Sequence, residues 1–293
     1  MSTTEESILY YSRDFIDAKK YASLERHSMQ EGANALEGIA FLQTPKESHQ
    51  HLDIGCGPGT FTRDYLVPRS LPCKRLVAVD TSPLMIEFAK ANSSHDNIMF
   101  DVFNFGNQDV EELMAKYGRF DRVYSFLCFH YIKDQLSAYK DLAKVLTPGS
   151  GECLVVGAVS AASADSWLQV HLMNRWRDLI PDPRLLYCEQ FKFHFDNNLR
   201  KVEFDIREMV GAAGLECIEC RVYETEWLFP SADACVDEVL GSFELSKRVP
   251  QCDVPALKAD CTRQLRRISA PTNRGYGMRM TLYSLHARSG SNV

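Results

Sequence analysis

The 293-residue sequence has no apolar run approaching the roughly 18 residues of a membrane span. Its first residues, Met1 to Arg13, are acidic and polar and lack the apolar stretch of a secretory leader, which predicts an intracellular, cytoplasmic protein. Positive charge is not in surplus: 33 Lys and Arg stand against 39 Asp and Glu, for a net −6. The densest basic stretch, Lys258 with Arg263, Arg266 and Arg267, reads as the wet face of a helix. That balance argues against a nucleic-acid partner and for a small molecule. The ten cysteines form no paired C-x-x-C sets. The single close pair, Cys217 and Cys220, falls in a predicted strand, where an offset of three puts the thiols on opposite faces. No metal site is expected, and inside a cell the thiols are expected to be free. Repeats and low-complexity segments are also missing, which excludes a solenoid or a linker.

What is present is ordinary globular composition, 45% hydrophobic and 25% charged, in a chain long enough for a full core. Residues 1–47 read as helical and amphipathic, with Leu24, His27, Ala33, Leu36, Ile39 and Ala40 near a helical spacing. From about His49 the chain alternates. Strands are predicted at 51–54, 75–79, 98–103, 122–128 and 153–159, with helices between them. Ser82 is placed as an N-cap with Pro83 at the first helical position, and Pro148-Gly149 ends a later helix. This is the pattern of an α/β fold with a parallel sheet covered by helices on both faces. The second half is less regular. Further strands are predicted at 217–229 and 278–287, and a helix at 201–213 that stops at Gly214.

The segment carrying the most chemistry is Leu52-Asp53-Ile54-Gly55-Cys56-Gly57-Pro58-Gly59. A glycine-rich turn between a strand and a helix lets a ligand approach the backbone closely. Asp80 closes the next strand, 21 residues beyond Gly59, with Thr81 beside it, where a carboxylate can accept both ribose hydroxyls of a nucleoside. A dinucleotide site would show G-x-G-x-x-G with a helix N-terminus facing pyrophosphate. Here the glycines are at 55, 57 and 59, and the acidic Asp53 precedes them, which suits a cationic ligand. A sulfonium that carries an ammonium group fits, which points to S-adenosylmethionine.

With these residues the chain resembles the class I S-adenosylmethionine-dependent methyltransferases over about residues 48–160. Asp53 to Gly59 is similar to their first motif, contributing Asp53, Gly55, Cys56, Gly57 and Gly59 to the cofactor. Asp80 is similar to their ribose-binding acid, and Asn104 with Phe105 to the pair that holds adenine. The segment Tyr124 to Gln135 resembles, more narrowly, the fourth-strand region of juvenile hormone acid methyltransferases. Gly151-Glu152-Cys153-Leu154 and the Tyr21…Gln30 pattern are also similar to that family. Two departures are visible: Tyr131 stands where that family has Trp, and Ala33-Asn34 where it has an acid–alanine pair.

The resemblance implies a Rossmann-like α/β fold with a seven-stranded, mostly parallel sheet, helices on both faces and helical lid insertions. It implies one domain over 1–293: a helical lid at 1–47, a cofactor-binding core at 48–160, substrate-side insertions at 161–200 and 231–270, and the remaining core at 201–230 and 276–288. It further implies transfer of a methyl group to the carboxylate of an apolar sesquiterpenoid acid, of the farnesoic acid or juvenile hormone acid type, with S-adenosylhomocysteine as coproduct and no metal. Gln30 is then placed as a donor to the carboxylate and Tyr131 as the residue that positions the acceptor. His130, Trp167, Trp176 and Trp227 would line the substrate pocket, and Ser125 would join the cofactor set. An ionised carboxylate needs no general base. Transfer to a fatty acid, phenol or amine stays open, with His130 as the base in the latter cases; so do a nicotinamide-dependent oxidoreductase, a non-catalytic cofactor-binding protein, and a monomeric or homodimeric state.

Overall fold

Five short apolar segments become parallel strands, and helices on both sides remove the faces of four of them from water, while Met99 and Val102 of the segment at 98–102 stay exposed. The computed structural model describes residues 17–195 and 198–290; the polar stretch Met1–Arg13 lies outside them. The strands are β1 (Gln50–Ile54), β2 (Arg75–Asp80), β3 (Ile98–Val102), β4 (Arg122–Phe126), β5 (Glu152–Ala161), β6 (Leu215–Phe229), β7 (Ala270–Thr272) and β8 (Gly275–Ser289). Every residue of β1 and of β5 is buried. The order across the sheet is β3-β2-β1-β4-β5-β8-β6. The seven strands expected from sequence form this path, and the three-residue β7 adds an eighth by pairing with β8.

Strands β1 to β5 run parallel, with Leu52 opposite Val77 on one side and Val123 on the other. Strand β8 enters antiparallel between β5 and β6. The chain travels outward from β1 to β3 and then returns to β4 on the other side of β1. This reversal opens a crevice at the carboxyl ends of β1 and β4, the place where such sheets take ligands.

The helices in chain order are α1 (Ala18–Leu24), α2 (Arg26–Gly38), α3 (Val67–Ser70), α4 (Pro83–Asn92), α5 (Val110–Tyr117), α6 (Gln135–Val145), α7 (Ala162–His171), α8 (Leu199–Ala212), α9 (Ala232–Ser242) and α10 (Val254–Ile268). A π-helical turn, Thr62–Leu66, leads into α3. Ser82 caps α4 through its hydroxyl, which accepts the Met85 N–H, and Pro83 takes the first turn. Asp109 and Asp134 cap α5 and α6 in the same way.

Three apolar cores result. Leu52, Val77, Val123 and Val155 pack on one face of the sheet with Leu113, Leu142 and Val210 from its helices. On the other face Leu76, Ala78, Tyr124 and Leu154 meet Ala33 and Leu36 of α2. A third core joins α7, α9 and α10 to the end of β5 and the start of β8. The irregular regions at 161–195 and 231–269 therefore come together on one side of the molecule.

One sequence expectation about the sheet is corrected. The register of β6 on β8 shifts between Cys217 and Glu219, so Cys217 stands opposite Ala287 and Cys220 opposite Leu285. The extra residue resets the alternation, and both cysteines face the same core. No described helix is long and apolar enough to cross a membrane.

Candidate active site

Immediately after β1 the backbone turns sharply. Gly55, Gly57 and Gly59 all have φ between +54° and +77°, a region that side chains strain to enter. The N–H groups of Gly55 and Cys56 both donate to the Val79 carbonyl, at 2.8 and 3.0 Å, which ties the loop to β2. A Cβ at Gly55 would lie 2.4 Å from the Cys128 sulfur, so that face is closed. At Gly57 the one near atom is Cε1 of Tyr21, 3.8 Å away, so Tyr21 of α1 roofs the loop.

Asp80 ends β2 and is clasped by two backbone donors. Its Oδ2 accepts the Gly57 N–H at 2.9 Å and its Oδ1 the Ser82 N–H at 2.8 Å. Thr81 beside it is exposed. Asp53 lies beneath the loop, 3% exposed, with its Oδ2 accepting the Thr62 hydroxyl at 2.6 Å. Burial pushes its carboxyl up to about 7, Thr62 acts to lower it, and the neighbouring Asp80 raises it further. Burial likewise raises the Cys56 thiol well above its usual range. The site is thus rich in acids, a donor set that suits a cation.

At the end of β3, Asn104 is half-buried. Its N–H donates to Gln108 Oε1 at 2.6 Å, and its Oδ1 accepts from Asn107. Phe105 differs from expectation: its ring packs in the core near Phe129, leaving only backbone to meet a ligand. Ser125 differs too. It is fully buried, and its hydroxyl donates to the Ile54 carbonyl at 3.0 Å, which fastens β4 to β1 below the crevice.

Beyond β4, Leu127 adopts φ +50°, an unusual conformation for a γ-branched residue, and its N–H donates to Val156. This kink sets Cys128 against Gly55 and starts the 3₁₀ turn Phe129–Tyr131. Burial pushes the Cys128 thiol up to about 12.

His130 is not placed as a base. It is buried, and its Nδ1 accepts the Ala158 N–H at 3.2 Å, which puts the neutral ring's proton on Nε2. Burial lowers its pKa to about 3. Tyr131, by contrast, keeps 37% of its surface open. Its ring lies 4.1 Å from His130 and 5.3 Å from Tyr187, and Tyr187 stacks on Phe191 at 3.9 Å. Phe193 meets both edge-on.

The rings gathered beside Tyr131 are those of Tyr187, Phe191 and Phe193. Trp167 and Trp176 are core residues of the third cluster. The Trp167 indole N–H donates to the Pro181 carbonyl and that of Trp176 to Asp260, which leaves neither ring for a ligand. Trp227 is half-buried and stacks on His27 of α2 at 5.3 Å, with its indole N–H buried and unpaired.

Helix α2 lies across the loop side, with Gly32 against the rings of Phe61 and Phe126. Its buried Glu31 accepts from Thr225 at 3.0 Å and from Tyr223 at 3.4 Å, which holds the helix to β6. Gln30, one position earlier, falls on the outer face. It is exposed, and its amide donates to Asn34 at 2.8 Å, so the structure does not bring it to Tyr131. Tyr21 and Glu25 reach the loop instead; sequence signalled Tyr21 only through the Tyr…Gln pattern and Cys128 only as part of the segment Tyr124 to Gln135, and nothing in it marked Glu25.

A solved structure of phosphoethanolamine N-methyltransferase 2 from Haemonchus contortus, with phosphomonomethylethanolamine and S-adenosylhomocysteine, superposes with a TM-score of 0.53 at 16% identity, covering 93% of this chain and 57% of that one. A family model described as a methyltransferase domain matches residues 52–154. The fold is the Rossmann-like methyltransferase fold. The matched span runs from β1 into β5 and contains the glycine loop, Asp80, Asn104 and Tyr131.

Juvenile hormone acid O-methyltransferase of Drosophila melanogaster is 29% identical over 133 residues, 45% of this chain and 44% of that protein. Malonyl-[acyl-carrier protein] O-methyltransferase 1 of Ilyobacter polytropus is 26% identical over 182 residues, 62% of this chain and 59% of that protein. The chain thus spans about half the length of these curated relatives.

Proposed function

We propose that the protein transfers a methyl group from S-adenosylmethionine to the carboxylate of a small apolar acid, of the farnesoic acid or juvenile hormone acid type, to give a methyl ester. The residues fit the cofactor: three positive-φ glycines open the backbone, Asp80 waits at the end of β2, and Asp53 adds to an acidic surround. Among the described residues no cluster of side chains could hold a metal ion. S-adenosylmethionine supplies an electrophilic methyl group on a sulfonium, and the sulfur leaves with the electron pair of the broken bond.

The chain's own part is to bind, orient and exclude water. Asp80, fixed by Gly57 and Ser82, would receive the ribose hydroxyls, with Thr81 alongside, and Asn104 would meet the adenine edge. Tyr131, open on one side and braced by Tyr187 on the other, positions the acceptor. Tyr187, Phe191 and Phe193 give its apolar part a dry wall. Holding the reacting atoms in line is worth roughly 7–11 kcal/mol. Helices α1 and α2 act as the lid that keeps water out, and the regions at 161–200 and 231–270 as the substrate side.

The observation that carries the carboxylate reading is the state of His130. A phenol or an ammonium must lose a proton before it can attack, whereas a carboxylate arrives ionised. His130, the imidazole beside Tyr131, has Nδ1 engaged by Ala158 and a pKa near 3, so it cannot serve as that base near neutral pH. The names of the relatives, which methylate oxygen on juvenile hormone acid or on a malonyl carrier, support the same acceptor chemistry.

The test is transfer of labelled methyl from S-adenosylmethionine to farnesoic acid by the purified protein. Enzyme-dependent methyl farnesoate is the expected product. Cofactor binding without product from farnesoic acid or from fatty acids, but with product from a phenol or amine, would reject it.

A further inference from the structure

Glu25 links α1 to α2 and is 9% exposed. A carboxylate this deeply placed is ordinarily paired with a cation or fully hydrogen-bonded. Glu25 has no ion pair among the described residues, and its Oε1 has no hydrogen-bond partner. Thr60, which directly follows the glycine loop, bonds its carboxylate, and Asp64 one turn on adds a like charge. Four residues earlier on α1, Tyr21 sits over Gly57 and within electrostatic reach of Asp80, Tyr131 and Glu25. The carboxylate therefore stands beside Thr60, at the exit of the loop that the cofactor is expected to occupy. Burial against this acidic neighbourhood raises the Glu25 carboxyl to about 7, the mark of a charge that lacks its counterpart.

We infer that Glu25 is a further binding residue of this site, whose unpaired carboxylate oxygen receives the ammonium group of the amino-acid portion of S-adenosylmethionine. The inference rests on the cofactor assignment above. An ammonium has three N–H donors and can satisfy such an oxygen; a sulfonium has none. A carboxylate acceptor offers that oxygen no N–H donor, so the residue is assigned to the cofactor's ammonium and not to the substrate. Asp80 takes the ribose and Glu25 the opposite end of the same ligand.

Calorimetric titration with two probes tests this. S-adenosylhomocysteine carries the ammonium without the sulfonium, and 5′-methylthioadenosine keeps the nucleoside but lacks the amino-acid portion. Glu25→Gln is expected to weaken S-adenosylhomocysteine at least tenfold and leave methylthioadenosine unchanged, with Glu25→Asp recovering part of the loss. An equal loss for both probes would show that Glu25 only shapes the loop, and no loss for either would show that it does not meet the ligand; each overturns the inference. Wild-type protein that binds neither probe would overturn the cofactor assignment itself, and the inference with it.

Discussion

The backbone N–H of Gly57 donates to Asp80 Oδ2 at 2.9 Å, so the glycine loop and the end of β2 are one unit. The Ser82 N–H holds the other oxygen of the same carboxylate. Asp80→Ala therefore removes a ligand contact and leaves two backbone donors without an acceptor. We expect cofactor affinity to fall at least a hundredfold by calorimetry, and stability by about 1–3 kcal/mol. Unchanged affinity would remove Asp80 from the ribose role.

His130 should not titrate in the neutral range. Its ring is buried, and its Nδ1 is committed to the Ala158 N–H. With a carboxylate acceptor, kcat/KM should show no limb belonging to this residue between pH 6 and 8. The imidazole carbon-bound proton shifts in an NMR titration should stay constant from pH 8 down to about pH 5. A titration midpoint near 6.5 would restore His130 as a base.

Gln30 and Tyr131 should separate cleanly in kinetics. Gln30→Ala, altering an exposed amide bonded to Asn34, should change kcat/KM less than about twofold. Tyr131→Ala should lower it about tenfold or more while cofactor affinity holds. A large loss from Gln30→Ala would mean that α2 turns when substrate binds.

Glu25 makes stability depend on pH in a predictable sense. Burial raises its folded pKa to about 7, above the unfolded value near 4.5. The folded state then prefers the protonated acid, so the contribution is fully present below about pH 4.5 and is lost as pH rises through about 7. Urea melts should show Glu25→Gln, which cannot ionise, more stable than wild type by about 3 kcal/mol at pH 8 and nearly equal to it at pH 4.5. The opposite trend would mean that the carboxylate is already paired.

The two buried tryptophans and Tyr187 should behave differently. Trp176→Ala should cost about 3–5 kcal/mol of stability with acceptor preference unchanged in the folded fraction. Tyr187→Ala should instead raise KM for long apolar acids more than for short ones. A preference shift from Trp176→Ala would place that ring in the substrate path.

The sheet and the glycine loop were legible in the sequence because their signals are local. A strand, three glycines and an acid follow one another within residues 50–80. The substrate side was not legible, because its residues acquire meaning from partners far along the chain. Trp176 is a core residue because its indole reaches Asp260, 84 positions away. Periodicity read residues 1–47 as helical but could not fix the rotation of α2 against the loop, and one step of about 100° separates buried Glu31 from exposed Gln30. The bulge that puts Cys217 and Cys220 on one face has no signature in the strand pattern.

The position of β8 has a consequence for how the protein is made. All ten residues of β5 are buried, yet one flank of β5 is closed by a strand more than a hundred residues later in the chain. During synthesis the cofactor half can assemble early, as its parallel strands emerge in order. Its flank at β5 stays open until residues 275–289 leave the ribosome and insert between β5 and β6. A nascent chain therefore carries an unpaired apolar strand edge while more than a hundred further residues are added, the kind of edge that invites wrong partners. The interval between translating β5 and translating β8 is when this protein has most need of a chaperone.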